Sequence, residues 1–374
     1  MRGRIVFNGN GGSEMIERVA PWVLGSAGGR APRVLVVTAA WGPGEYDEGP
    51  IKEALYQVGV RHTLDDGETQ AVENLCAWHV WQAFLARREE VAAVHAEIDA
   101  ARETLRAWYL ERTGFDADMV RTAVGLARTN AGTFKLGGLS LRESVRPDAV
   151  RTGPQMLAQA FGREILASID TLVQNDERML EALTQAEQQL LARTGLRHDA
   201  EWQAERESLS QRILAADVIL LFGGNPMSLL EPLRFYDLQP ALLETLRRGA
   251  TFVASSAGAL VLCERMIVFD DGSDDPQRRH FQLLDRGLGL VGGLQVLPHC
   301  MDRIHTDDPD NLAYLSRRFG DRLCVGLNRE SYLHVDLAAH TATSVGEHDG
   351  VYVFGVDGVK RRYGVGEGLV LDGG

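Results

Sequence analysis

Ser256 lies between a short apolar run, residues 250–253, and a stretch with the composition of a helix, residues 257–266. A residue between strand and helix in so few positions sits on a tight, strained turn, and the small neighbours of Ser256 are what such a nucleophile elbow requires. Its hydroxyl would stand at the strand end, where the N–H groups of the helix N-terminus would stabilise an oxyanion in acyl transfer. The alternative is that Ser256 only caps the helix.

A second turn, Gly223-Gly224-Asn225, follows residues 216–222, the most strand-like run in the sequence. Loops after the carboxyl ends of strands line the site of an open α/β sheet. The backbone N–H of Gly224 would then complete an oxyanion hole with that of Ala257. The other interpretation is a plain strand-to-helix turn that uses glycine for positive φ.

His299 ends a third strand-like run, residues 294–298. A histidine at a strand end is suitably placed to act as the general base for a serine, although a lone histidine is more often structural. His299, Asp302, His305, Asp307 and Asp308 also crowd together, but their spacing fits neither a helical zinc site nor a calcium loop. We therefore expect no metal. No dinucleotide-binding or Walker motif is present, so we expect no cofactor.

The order Gly-Gly-Asn, then Ser-Ala-Gly-Ala, then Pro-His followed four residues later by arginine, resembles the S51 serine peptidases. That family includes aspartyl dipeptidase (peptidase E) and cyanophycinase. The resemblance implies that Ser256 is the nucleophile and His299 the base. It further implies that Asp271, fifteen residues after the serine, orients the histidine. Asp270 and Glu330 stay open as alternatives for this acid.

The resemblance also implies a fold and a substrate class. Residues 4–12 and 33–40 are similar to the first two strands of the family, whose fold is a three-layer α/β/α sandwich with a mostly parallel sheet, like the class I glutamine amidotransferases. Relatives prefer aspartyl or β-aspartyl substrates, which assigns Asn225, Arg303 and Glu330 to substrate binding. The family's acidic segment differs here, because Asn328-Arg329 precede Glu330.

The alternation of strands and helices predicts a discontinuous α/β core, residues 1–70 and 206–374, around a helical insertion, residues 71–205. Within the insertion, apolar residues recur at helical spacing over residues 72–112 and again over residues 161–190. Two long amphipathic helices cannot bury these faces alone. We expect them to pair as an antiparallel hairpin, dock on the core or dimerise, so a homo-oligomer through the insertion is one possible assembly.

The 374 residues carry a net charge of −13, which argues against nucleic acid or an anionic membrane surface as a partner. No apolar run reaches the roughly eighteen residues that a membrane span needs. The four cysteines have no paired spacing, and the N-terminus lacks a basic stretch followed by an apolar one, so we expect a reduced, cytoplasmic protein.

Together these features predict a serine hydrolase that cleaves a short peptide or isopeptide through an acyl-enzyme on Ser256. The first alternative is a catalytically silent α/β scaffold or binding protein that assembles through the helical insertion. The second is an amidotransferase-like hydrolase that acts on a nonpeptide amide.

Overall fold

The structure is a computed structural model, and it describes residues 2–131, 134–138, 153–269, 281–346 and 350–371. The strands are β1 (Arg4–Asn8), β2 (Val34–Val37), β3 (Val72–Asn74), β4 (Val218–Leu221), β5 (Thr251–Ser255), β6 (Arg265–Phe269), β7 (Phe281–Arg286), β8 (Leu294–Pro298), β9 (Leu323–Leu327), β10 (Tyr332–Asp336), β11 (Thr341–Val345), β12 (Val351–Phe354), β13 (Lys360–Tyr363) and β14 (Gly368–Val370).

The α-helices are α1 (Met15–Gly25), α2 (Gly49–Gln57), α3 (Ala77–Arg87), α4 (Glu89–Ala131), α5 (Gly153–Thr194), α6 (Ala200–Ala215), α7 (Pro226–Phe235), α8 (Gln239–Arg248), α9 (Ala257–Leu262), α10 (Cys300–Arg303) and α11 (Pro309–Arg318). Short 3₁₀ helices span Ala39–Gly44, Leu136–Gly138 and Leu196–His198. No helix in the described ranges combines the length and the apolar character needed to cross a lipid bilayer.

A central eight-stranded sheet has the order β14-β11-β10-β1-β5-β4-β2-β3. The five strands from β1 to β3 in this order run parallel, and β10, β11 and β14 add an antiparallel edge. Strands β2, β4 and β5 are buried along their whole length, which is why they read as continuous apolar runs.

Helices cover both faces of this sheet. Side chains alternate between its two sides, so each face carries apolar residues that a helix layer buries. Ile5 and Phe7 belong to a core that includes buried leucines of α7 and α8, whereas Val6 belongs to a separate core with α1 and α2. The predicted α/β fold class with a mostly parallel sheet and a long helical region is confirmed.

A second sheet, in the order β13-β12-β9-β8, is parallel between β8 and β9 and antiparallel elsewhere. It carries α10 at the end of β8 and α11 before β9. Strands β6 and β7 form a separate antiparallel pair. The sheet matters for the site because β8 leads directly into the segment that contains His299.

Helices α4 and α5, of 43 and 42 residues, pack against each other. Arg193 bonds to Glu97 at 2.9 Å and Tyr109 bonds to Asp176 at 2.5 Å, so residue numbers rise along one helix as they fall along the other. The two helices are therefore antiparallel. Arg318 of α11 donates to both carboxylate oxygens of Asp176, at 2.8 and 2.6 Å, which ties this hairpin to the second sheet.

Two elements differ from their sequence-based outline. Strand β3 pairs with β2 in the central sheet, although it lies just inside the range predicted for the helical insertion. Helix α9 ends at Leu262 rather than at residue 266, because the residues after it form β6 and pair with β7. The domain boundary between residues 70 and 71 stays a prediction. Because β3 follows that boundary and still pairs with β2, it belongs to the central sheet.

Candidate active site

Ser256 occupies the single position between the end of β5 and the start of α9. Its φ of 51° and ψ of −113° lie outside the regions that side-chain-bearing residues favour, so the backbone is strained there. The Ser256 N–H donates to the Asn8 carbonyl at 3.1 Å, which holds the turn against β1. A Cβ added at Gly258 would lie 2.5 Å from the Leu221 carbonyl oxygen, so the turn also needs a glycine two residues later.

His299 lies between β8 and α10, with a left-handed φ of 56°. Its Nε2 is 2.9 Å from the Ser256 Oγ, a hydrogen-bond distance between side chains 43 residues apart in sequence. Both residues are only partly buried. When Nε2 is unprotonated the hydroxyl donates to it, which is the arrangement that activates a serine nucleophile. The structure therefore brings the predicted nucleophile and base together.

The Gly223-Gly224 turn lies beside the same serine. A Cβ added at Gly223 would lie 2.8 Å from the Ser256 Cβ, and one added at Gly224, whose φ is 140°, would lie 2.5 Å from the Ala40 carbonyl oxygen. Only glycine at both positions permits this close approach.

Two backbone N–H groups at this point are candidate donors to an oxyanion. Within the described part of the chain, the Gly224 N–H has no acceptor bonded to it. The Ala257 N–H is the first of α9 and has no preceding helical carbonyl to bind. Both groups thus lie at the Ser256 turn or beside it, and each is able to donate a further hydrogen bond.

The three predicted substrate-binding residues lie in different settings. The Asn225 Oδ1 accepts from the backbone N–H groups of residues 227 and 228, at 2.9 and 3.2 Å, and so caps α7. Arg303 is exposed and lines a cavity of about 740 Å³ between α4 and residues 301–311. Glu330 is exposed and follows Arg329, which forms a 3.0 Å ion pair with Glu14.

The predicted acid Asp271 and its alternative Asp270 lie in residues 270–280, outside the described residues. The identity of the acidic partner of His299 therefore stays a prediction.

Two asparagines that sequence reasoning did not select hold the site together. Asn8 is fully buried, and its Nδ2 donates to the carbonyls of Arg329 and Ser331 at 2.8 and 3.0 Å. The Asn328 Oδ1 accepts from the N–H of Met301 at 3.0 Å, which fixes the first turn of α10 next to His299. Their only signal in sequence is position, because Asn8 is the last residue of β1 and Asn328 directly follows β9.

A potential ligand set lies elsewhere, where α4 meets α7. Ligand atoms of His95, Asp99 and Glu231 lie within 4.8 Å of one another. The guanidinium of Arg102 is 2.8 Å from Glu231 and 3.5 Å from Asp99. Arg102 thus supplies at this point the positive charge that a metal ion would otherwise bring.

A serine on a strained strand-to-helix turn, bonded to a histidine and flanked by a glycine loop, is the arrangement found in serine hydrolases on α/β sheets. Residues 171–342 match the model of peptidase family S51, and this segment contains both Ser256 and His299. The predicted resemblance to that family is confirmed over these residues, and the match supports a peptidase hydrolase.

A crystal structure of a peptidase from an acI-B1 Actinobacterium is similar over 99% of this chain and 97% of that chain, with 12% identity and a TM-score of 0.48. No curated protein matches the chain.

Proposed function

We propose that this protein is a serine peptidase that cleaves the amide bond of a short peptide or isopeptide through an acyl-enzyme on Ser256. The observation that carries the proposal is the 2.9 Å contact between the Ser256 Oγ and the His299 Nε2 at a strained elbow. A serine hydroxyl is a poor nucleophile at neutral pH, so a base in hydrogen-bond contact is the minimum that this chemistry needs.

In the proposed reaction, His299 takes the proton of the Ser256 hydroxyl as Oγ attacks the substrate carbonyl carbon. The C–N bond then breaks, and His299 returns the proton to the leaving amine. Water, deprotonated by the same imidazole, hydrolyses the ester and frees the serine. Asp271 is the proposed group that orients the imidazole.

The negative charge that develops on the carbonyl oxygen would be met by the N–H groups of Gly224 and Ala257. Losing one donor of this kind typically raises the barrier by about 3 kcal/mol. Their preorganised position costs nothing at the moment of reaction, because neighbouring backbone already holds the turn in place.

We propose an aspartyl or β-aspartyl substrate, following the family resemblance. Arg303 would pair its planar guanidinium with the substrate carboxylate, and the cavity that it lines also carries Arg121 and Arg128. Four aspartates, Asp302, Asp307, Asp308 and Asp310, line the same cavity, and Arg128 pairs with two of them, so we assign the substrate carboxylate to Arg303 alone. The Asn225 amide N–H groups are the donors left for substrate, because its Oδ1 serves the helix cap. We assign Glu330 to a substrate amine.

We also propose a reducing, cytoplasmic location. The four cysteines are all free, and three of them are buried, which fits a compartment that does not form disulfides.

Hydrolysis of a panel of Asp-Xaa dipeptides, compared with β-aspartyl-arginine, tests the proposal. We expect Ser256→Ala and His299→Gln each to lower kcat by about 10⁴-fold or more, since the two groups act as a unit. Ser208→Ala, an exposed serine on α6, is the matched control and should keep wild-type rates. Hydrolysis that survives in Ser256→Ala would disprove the mechanism. A chain that is folded but inert toward the whole panel and toward serine-directed reagents would support the silent scaffold.

A further inference from the structure

The indole of Trp41 is hydrogen-bonded to the loop beside Ser256. Its Nε1–H donates to the Gly223 carbonyl oxygen at 2.9 Å, across 182 residues of sequence. The C=O of Gly223 and the N–H of Gly224 belong to one peptide unit, and in a trans peptide these two groups point in opposite directions. A bond that fixes the carbonyl of Gly223 therefore also fixes the direction of the Gly224 N–H.

The segment that carries Trp41 is itself firmly held. The Trp41 N–H donates to the Thr38 carbonyl at 2.8 Å, and the indole packs against Phe222 with ring centroids 6.0 Å apart. The neighbouring Ala40 carbonyl accepts the N–H of Asn225 at 2.9 Å. The loop is thus held on both sides of the Gly224 N–H, by an indole before it and by a backbone bond after it.

The loop needs such an anchor because it contains two successive glycines. Glycine has the widest range of backbone conformations, so the Gly223–Gly224 peptide unit can rotate where a bulkier pair could not. A rotated unit would present a carbonyl oxygen where a donor is required. Stabilisation of an oxyanion depends on donors that already point at the developing charge.

We infer that Trp41 is a positioning residue of the oxyanion hole: its indole N–H holds the Gly223–Gly224 peptide unit so that the Gly224 N–H faces the substrate carbonyl oxygen. This inference rests on the proposed function of Ser256. The family resemblance in this part of the chain ends at Ala40, so the tryptophan is not among the residues that carry it.

The test replaces the indole while keeping an aromatic ring, in Trp41→Phe. The chain offers a matched control in Trp202, whose Nε1–H also donates to a backbone carbonyl, that of Phe235, at 3.0 Å. Phe235 is the last residue of α7, at the opposite end of that helix from Asn225. Trp202→Phe therefore removes the same kind of bond without touching the loop.

Trp41→Phe should lower kcat by about 10-fold. This is less than the 10²–10³-fold expected for removing the donor, because the Gly224 N–H is still present but faces the oxyanion in a smaller fraction of the molecules. KM should stay within about twofold, since the loss falls on the transition state. Affinity for a peptide boronic acid, whose tetrahedral oxygen would occupy the oxyanion position, should fall by the same factor as kcat. Trp202→Phe should change none of these three quantities.

The possible results separate the two proposals. If Ser256→Ala abolishes hydrolysis but Trp41→Phe keeps wild-type kcat and boronate affinity, the role of Trp41 is refuted and the serine mechanism stands. Equal losses in Trp41→Phe and Trp202→Phe would also refute it, because they would indicate a general loss of packing. If Ser256→Ala remains active, both proposals fail. Rescue of kcat by Trp41→His, which retains a ring N–H, would support the hydrogen bond as the cause.

Discussion

Gly223→Ala places one methyl group against Ser256, the proposed nucleophile. Gly223 does not have a positive φ, so alanine can adopt its backbone conformation without strain. The new Cβ, however, would lie 2.8 Å from the Ser256 Cβ and 3.3 Å from its Oγ. Carbon atoms in ordinary contact are about 3.5–4.0 Å apart, so the segment of Gly223 or that of Ser256 must move by about 1 Å.

A displacement of this size would move the Ser256 Oγ, the atom that the proposed mechanism brings to the substrate carbonyl carbon. Misplacing a reacting group by about 1 Å costs about 10²-fold in rate. That factor corresponds to about 2.7 kcal/mol in the activation barrier. The turn is partly exposed and can shift toward solvent, so we expect the free energy of unfolding to change far less than the barrier.

The assay is the rate at which a fluorophosphonate modifies Ser256, measured together with peptide hydrolysis. Gly292→Ala is the control, because an added Cβ there meets no atom within 4 Å and the residue has no positive φ. Gly223→Ala should react about 100-fold more slowly than the wild type, with Gly292→Ala unchanged. If Gly223→Ala is modified at the wild-type rate, the Gly223-Gly224 turn does not constrain the position of the Ser256 Oγ, contrary to this prediction.

Other predictions concern stability. Arg318→Met leaves the fully buried Asp176 without its cation and should lower the free energy of unfolding by about 3–5 kcal/mol in urea titrations, whereas adding Asp176→Leu should regain most of it. Burial lowers the pKa of His334, so the unfolded chain binds its proton first as the pH falls. The contribution of His334 to the free energy of unfolding is therefore complete above about pH 6.5 and is lost as the pH falls through the folded-state pKa. His334→Phe should make the free energy of unfolding less dependent on pH in this range. Asn225→Ala removes the α7 cap and should lower the free energy of unfolding by about 1 kcal/mol, measured by thermal unfolding. A rise in KM in the same variant would indicate that Asn225 also contacts the substrate.

The pair at the centre of the site could be predicted because its signals are local. Ser256 and His299 each lie within three residues of the end of an apolar run, and the carboxyl ends of strands are where α/β folds gather functional groups. The glycine turn before Asn225 carries the same signal. No packing information is needed to recognise these positions, only the order of strand, turn and helix.

The contacts that hold the site could not be predicted in this way. The Asn8 side chain reaches the Ser331 carbonyl across 323 residues, and the Trp41 indole reaches Gly223 across 182. Neither residue belongs to a repeating pattern, and each partner is a backbone group that any residue would offer. Such bonds become visible only when the strands are placed side by side.

Two element assignments also depend on tertiary pairing. Strand β3 has three residues, too few to show alternation, and its identity comes from pairing with β2. The apolar residues after α9 fit a helix or a strand equally well, and the pairing of β6 with β7 decides between them.

The central claim is that the Ser256 hydroxyl is a nucleophile activated by His299. Incubation of the folded chain with a fluorophosphonate, followed by peptide mapping in a mass spectrometer, tests it most directly. We expect a single adduct on Ser256, absent from Ser256→Ala and formed far more slowly in His299→Gln. A folded wild-type chain that stays unmodified at Ser256, or a His299→Gln chain that reacts at the wild-type rate, would contradict the account.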